Sequence, residues 1–189
     1  MDAPARRSAN RRQACAGDPE GGCGIVIRPA TADDAPALVA LLKLIARERI
    51  HTAIDQPWSA AAQRQYILDQ SPRECIHIAE SPTGELLGYQ VLALYAASIS
   101  SMSHVGQLGT FLHPSSRRQG IGRALFAATL AFARAHAYRK FVIQVRASNT
   151  AAQAFYQSLG FNPCGRYARH VVIDGTEDDE VLMEYFIDT

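Results

Sequence analysis

Apolar residues along this chain switch between a helical and an alternating period, and the switches divide it into elements. A short β-like run, Ile25-Val26-Ile27-Arg28-Pro29, comes first. Thr31 then offers a helix N-cap with Asp33 and Asp34 in the first turn. Leu38, Leu41, Leu42 and Ile45 fall at helical spacing, which predicts a helix from Ala35 to about Glu48 with one buried face. Residues 50–57 read as irregular, and a second helix is predicted from Ser59 to about Leu68, ahead of Ser71-Pro72. Cys75 to Ala79 alternates like a strand, Ser81-Pro82-Thr83-Gly84 is a turn, and Leu86 to about Ala96 returns as an antiparallel partner. A third strand is predicted over His104 to His113, ended by Pro114. Ile121, Leu125, Ala128 and Phe132 mark a helix from Ile121 to His136. Phe141 to Val145 reads as a buried strand, Thr150 to Ser158 as a short helix stopped by Gly160, and Arg166–Ile173 and Val181–Ile187 as strands joined through Asp174-Gly175.

The resulting order, β-α-α-β-β-β-α-β-α-β-β, implies an α/β (α+β) fold with a mixed, mostly antiparallel sheet. The strand-helix-strand unit around residues 104–145 is the exception; it should be parallel, with a right-handed crossover. No internal repeat and no second domain is visible, so residues 25–189 are expected to form one domain. Residues 1–24 carry Arg6, Arg7, Arg11 and Arg12 but almost no large apolar side chain, which predicts a disordered tail and no secretory signal.

Composition narrows the function classes. A formal net charge of +1 argues against a broad nucleic-acid surface. No apolar run approaches the ~18–20 residues that span a membrane. Cys15, Cys23, Cys75 and Cys164 lack Cys-x-x-Cys spacing, so neither a zinc site nor a disulfide framework is expected, and a reducing, cytoplasmic setting is the default.

The chemistry concentrates in Arg117-Arg118-Gln119-Gly120-Ile121-Gly122-Arg123, between a strand and a long helix. Glycines two residues apart let the backbone approach a ligand, and the helix that follows aims free N–H groups and a positive dipole end at it. The ligand should be an anion, most simply a phosphate. Arg117 and Arg118 could be a solvated helix start, but cations there are unfavourable without an anionic partner. A second block runs from Asn149 through Ala152 to Phe155-Tyr156 and closes on Gly160-Phe161. Asn149 is also placed to cap the helix it precedes.

Together these motifs, with the opening Ile27-Arg28-Pro29-Ala30-Thr31 and the closing Asp179-Glu180-Val181-Leu182-Met183, resemble the GNAT superfamily of N-acetyltransferases over residues 25–187. The resemblance implies a splayed sheet that takes acetyl-CoA in a V between strands 104–113 and 141–145. Its pyrophosphate would rest on the loop Arg117, Arg118, Gln119, Gly120, Ile121, Gly122 and Arg123. Its pantetheine arm would pair with backbone at Thr110, Phe111 and Leu112, helped by Asn149, with Ala152 in the same cofactor-binding set. Tyr156 matches the family's general acid. Many relatives place a base where this chain has Gln107, an amide that can position a water but cannot take a proton at working pH. His104 and His113, flanking that strand, are the other candidates.

The implied activity is acetyl transfer from acetyl-CoA to a primary amine of a small or amino-acid-like acceptor, by direct attack and without metal. A protein or peptide acceptor and a non-catalytic acyl-CoA sensor stay open as alternatives, and a homodimer is the assembly the resemblance suggests. The acidic run Glu177-Asp178-Asp179-Glu180 is either exposed loop or a lure for a cationic amine. Trp58, with Arg47, Glu48 and His51, lies where relatives often bind the acceptor.

Overall fold

The computed structural model describes residues 24–188. The tail expected over residues 1–24 therefore lies, apart from Gly24, outside the described residues. One seven-stranded sheet organises the rest, in the order β1-β2-β3-β4-β5-β7-β6. Its strands are β1 (Val26–Pro29), β2 (Cys75–Glu80), β3 (Leu86–Leu94), β4 (Val105–Leu112), β5 (Lys140–Arg146), β6 (Asn162–Ile173) and β7 (Thr176–Phe186). The helices are α1 (Ala35–Ala46), α2 (Ala60–Leu68), α3 (Ile121–Ala135) and α4 (Thr150–Ser158). The order read from the sequence stands, and the β4–β5 pair is parallel while its neighbours are antiparallel.

Alternation along the strands divides the side chains between two faces. On one face Leu38, Leu41 and Ile45 of α1 pack against Ile76, Ile78 and Tyr89. On the other, Phe126 and Ala133 of α3 join Leu92, Leu108, Phe141 and Ile143 in the larger core. Cys75–Ala79 alternates in sequence, yet all five residues are buried, because α1 packs on Ile76 and Ile78 and α3 packs on the same strand. β5 departs in the opposite direction. Phe141, Ile143 and Val145 are buried, but Gln144, on the opposite face, is exposed and lines a cavity.

Local chemistry sets the element ends, with one shift from the sequence reading: Thr31 heads a 3-10 turn over Ala32–Asp34, and Asp34 is the N-cap of α1. Ser59 caps α2 by accepting from the Ala62 N–H at 3.1 Å. The Thr31 N–H donates to Asp34 Oδ2 at 2.7 Å, and Arg28 bridges Asp34 to Glu80 on β2. Those contacts hold the Asp34 carboxyl down at about 2, chiefly through the Arg28 hydrogen bonds, and tie β1 to the start of α1. No helix among the described residues is long and apolar enough to cross a membrane.

Candidate functional site

β4 and β5 pair only at Val105↔Lys140, Gly106↔Phe141 and Gln107↔Val142. Both strands continue past that point, but each follows its outer neighbour. β4 stays with β3 as far as Leu112, and β5 stays with β7 as far as the Arg146↔Glu180 pair. Sheet twist then opens a wedge between them. From Leu108 onward the β5-facing edge of β4 has no ladder partner. The wedge holds a cavity of about 580 Å³.

Many of the sequence-predicted residues meet in this cavity. Thr110, Phe111, Leu112, Arg117, Arg118, Asn149, Ala152 and Tyr156 all line it, as does Gln107. Gln119, Gly120, Ile121, Gly122 and Arg123 are not in its walls; they form the adjoining loop and the first turn of α3. Gly120 is the N-cap of α3 at φ +80°, and a Cβ there would meet nothing within 4 Å. It therefore owes its identity to backbone conformation and leaves open space beside the helix start. Gly122 is different: a Cβ would lie 2.8 Å from the Phe155 ring, so its missing side chain lets α3 and α4 pack. The backbone N–H groups of Arg118 to Gly122 have no acceptor among the described residues, as the first turn of a helix requires.

Arg117 has an anionic partner that the sequence did not suggest. Its guanidinium makes a two-pronged ion pair with Glu48, just beyond α1, with Nη1 donating to Oε1 at 2.9 Å. That bond holds the Glu48 carboxyl below the usual carboxylate range. The pair ties the chain after α1 to the glycine loop, and it answers the charge argument that assigned Arg117 to a phosphate alone.

Tyr156 projects from α4 and is 6% exposed. Its hydroxyl donates to Thr110 Oγ1 at 2.9 Å, and the buried Gln90 Nε2 donates to the same oxygen at 2.8 Å. Burial pushes the phenol up to about 12. Asn149 caps α4, its Oδ1 accepting from the Ala152 N–H at 3.1 Å, and its Nδ2 donates to the His51 carbonyl at 3.4 Å. One side chain thus orients α4 and anchors segment 51–54, which lines the cavity.

The histidines considered as bases do not line the cavity. His104 precedes β4, beside the closed end of the wedge, where its carbonyl accepts from Arg139 and Lys140. The His113 ring turns to Ser115 Oγ at 2.7 Å and caps the 3-10 turn that follows. The acidic run is neither a free loop nor a bare lure. Asp178 pairs with Arg146, Asp179 with Arg166, and Glu180 points into the cavity. Glu180 is 6% exposed, stands across the β5–β7 ladder from Arg146, and has His170 Nε2 at 3.8 Å. It is the carboxylate in the cavity wall among the described residues, which the sequence reading named only as one of an acidic run. The available signal was alternation in β7, which puts Glu180 on the same face as Arg146 once the register is known.

The comparisons agree with this geometry. Residues 38–161 match the family described as Acetyltransferase (GNAT) family. The chain is 33% identical over 119 residues to a mycothiol acetyltransferase of Salinispora tropica, covering 62% of this chain and 33% of that one. It is 34% identical over 86 residues to the aminoglycoside N(6')-acetyltransferase type 1 of Klebsiella aerogenes, covering 44% of this chain and 57% of that one. It therefore spans a third and somewhat over half of these two relatives' lengths. Among solved structures, a phosphinothricin acetyltransferase from Sinorhizobium meliloti in complex with AcCoA superposes with a TM-score of 0.79 at 18% identity, covering 86% of this chain and 88% of that one. At that identity the likeness is one of fold.

Proposed function

The chain belongs to the acetyltransferase (GNAT) family, and on that footing we propose that it transfers the acetyl group of acetyl-CoA to the primary amine of a small acceptor by direct attack. The observation that carries this reading is the wedge: an unpaired β4 edge and a buried phenol line one cavity, and a helix start with free N–H groups adjoins it.

The residues fit the coenzyme by the chemistry of their donors. The backbone N–H groups of Arg118 to Gly122, at the positive end of α3, suit a pyrophosphate. The open edge at Thr110, Phe111 and Leu112 suits the amide groups of a pantetheine arm, taken as an added strand. A thioester supplies an activated acyl carbon, so the protein needs no nucleophile of its own. The backbone N–H near Leu112 is the natural donor to the carbonyl oxygen as charge develops there.

Tyr156 keeps its proton throughout the neutral range, because burial holds it at about 12. A thiol titrates near ~8.5, so the phenol serves the departing sulfur chiefly as a hydrogen-bond donor. Glu180 fills the place that Gln107 cannot. Its carboxylate attracts an incoming ammonium and accepts the proton that must leave before the nitrogen can attack.

Thiol release from acetyl-CoA, measured against amino acids, arylalkylamines, aminoglycosides, polyamines and Lys peptides alongside coenzyme binding, tests the proposal. Turnover with a small amine supports it. Tight binding with no turnover across the whole panel would overturn the transferase reading in favour of an acyl-CoA sensor.

A further inference from the structure

A second cavity of about 360 Å³ opens beside the wedge and shares Ile54, Gln107, Leu108, Gly109 and Phe111 with it. It lies on the α1 face of the sheet. Its walls are aromatic: Tyr89 stacks on Phe111 at 4.8 Å between centroids, and Trp58 meets Tyr66 edge-on at 5.3 Å. Among the described residues no Asp, Glu, Lys or Arg lines it, and its amide side chains are Gln63 and Gln107. The wedge differs, with Arg117, Arg146 and Glu180 in its walls.

That contrast selects an occupant. A cavity without charge cannot compensate the desolvation of a polycation or a sugar rich in hydroxyls. It does reward an apolar ring, because aromatic walls offer edge and face contacts to a flat guest. At ~30 Å³ per water molecule, the space equals about twelve waters, enough for a ring system on a short arm. Gln107 and Gly109 stand at the junction, so a guest seated among the rings extends its arm into the wedge that Glu180 and Tyr156 line.

Building on the acetyltransferase reading, we propose that the aromatic cavity is the acceptor subsite and that its substrate class is arylalkylamines: a single primary amine on a short arm from an aromatic ring. Glu180 receives the amine end, and the ring stays in the uncharged cavity.

Trp58 is the chain's single tryptophan and is 54% exposed, so its fluorescence reports occupancy without any turnover. Titrating the full chain with phenethylamine should shift and saturate that emission, whereas spermidine and kanamycin should leave it unchanged over the same range. Val91→Asp puts a carboxylate in the cavity wall, and Tyr66→Ala removes a ring; each should raise the half-saturating concentration of phenethylamine at least ~10-fold, the scale on which pocket contacts discriminate. Two variants are used so that a Val91→Asp protein that fails to fold leaves Tyr66→Ala to decide. An unresponsive Trp58, or equal responses to phenethylamine and spermidine, would overturn the proposal even if acetyl-CoA binds. A Trp58 response without acetyl transfer would uphold the subsite and count against the transferase reading instead.

Discussion

The two cavities that meet at Gln107 are built from different materials. The wedge and the loop adjoining it draw largely on backbone: an unpaired strand edge, the N–H groups of a helix start, and a glycine at φ +80°. The aromatic cavity is made of side chains brought together from α1, α2, β3, β4 and the segment before α2. A backbone site depends on conformation and tolerates side-chain change, whereas a side-chain site has the reverse sensitivity. One fold can therefore keep one ligand and change the other.

The contrast can be broken by substitution. The largest effect should come from Tyr156→Phe, where a buried side chain serves the largely backbone-built site. It should lower kcat by ~100–1,000-fold with the coenzyme Kd changed less than about twofold, the scale of losing an acid or a charge-stabilising donor. Steady-state kinetics with coenzyme titration separates the two, and unchanged kcat would remove Tyr156 from the chemistry. Glu180→Gln should lower kcat/KM by ~100-fold near neutrality. An unaltered kcat/KM in a folded variant would assign Glu180 to structure alone.

Smaller effects concern the frame. Gly122→Ala pushes a methyl against Phe155 and should cost about 1–3 kcal/mol of stability, read as a lower Tm. A Tm equal to the parent would mean that α3 and α4 separate freely. The smallest effect is the Arg28–Asp34 pair. Asp34 sits at about 2 when folded against 3.8 as its ordinary value, so its contribution is present above ~pH 4 and lost as pH falls toward 2. The side chains are 34% and 16% exposed, and solvent screening reduces the effect to about 1 kcal/mol. Urea midpoints between pH 5 and 2 should fall more steeply for the parent than for Asp34→Asn.

The backbone-built side was the legible one, because its parts are contiguous. Strand, Arg-x-x-Gly-x-Gly and helix follow one another in the chain, and a glycine pattern before a helical stripe has a direct geometric meaning. Tyr156 and Asn149 were legible for the same reason, lying one short helix apart. The side-chain-built half was not. Trp58 and Phe111 line one cavity from distant parts of the chain, and no local period encodes that placement. Glu48 looked like the end of a helix, yet it pairs with Arg117 sixty-nine residues later. Glu180 was hidden in a run of acids, since only the β5–β7 register separates its inward position from Asp179. On β5, Phe141-Val142-Ile143 is apolar on both faces, so its pattern could not show that the strand opens onto a cleft.

The central claim is that the parting of β4 and β5 beside Gly120 binds acetyl-CoA through backbone. Calorimetric titration of acetyl-CoA into the parent and Gly120→Val proteins tests it most directly, with circular dichroism to confirm that both are folded. The account predicts saturable binding by the parent and at least a ~10-fold weaker Kd for the variant, because valine resists φ +80° and narrows the approach to the loop. Equal affinities in two folded proteins, or no binding by the parent, would contradict it.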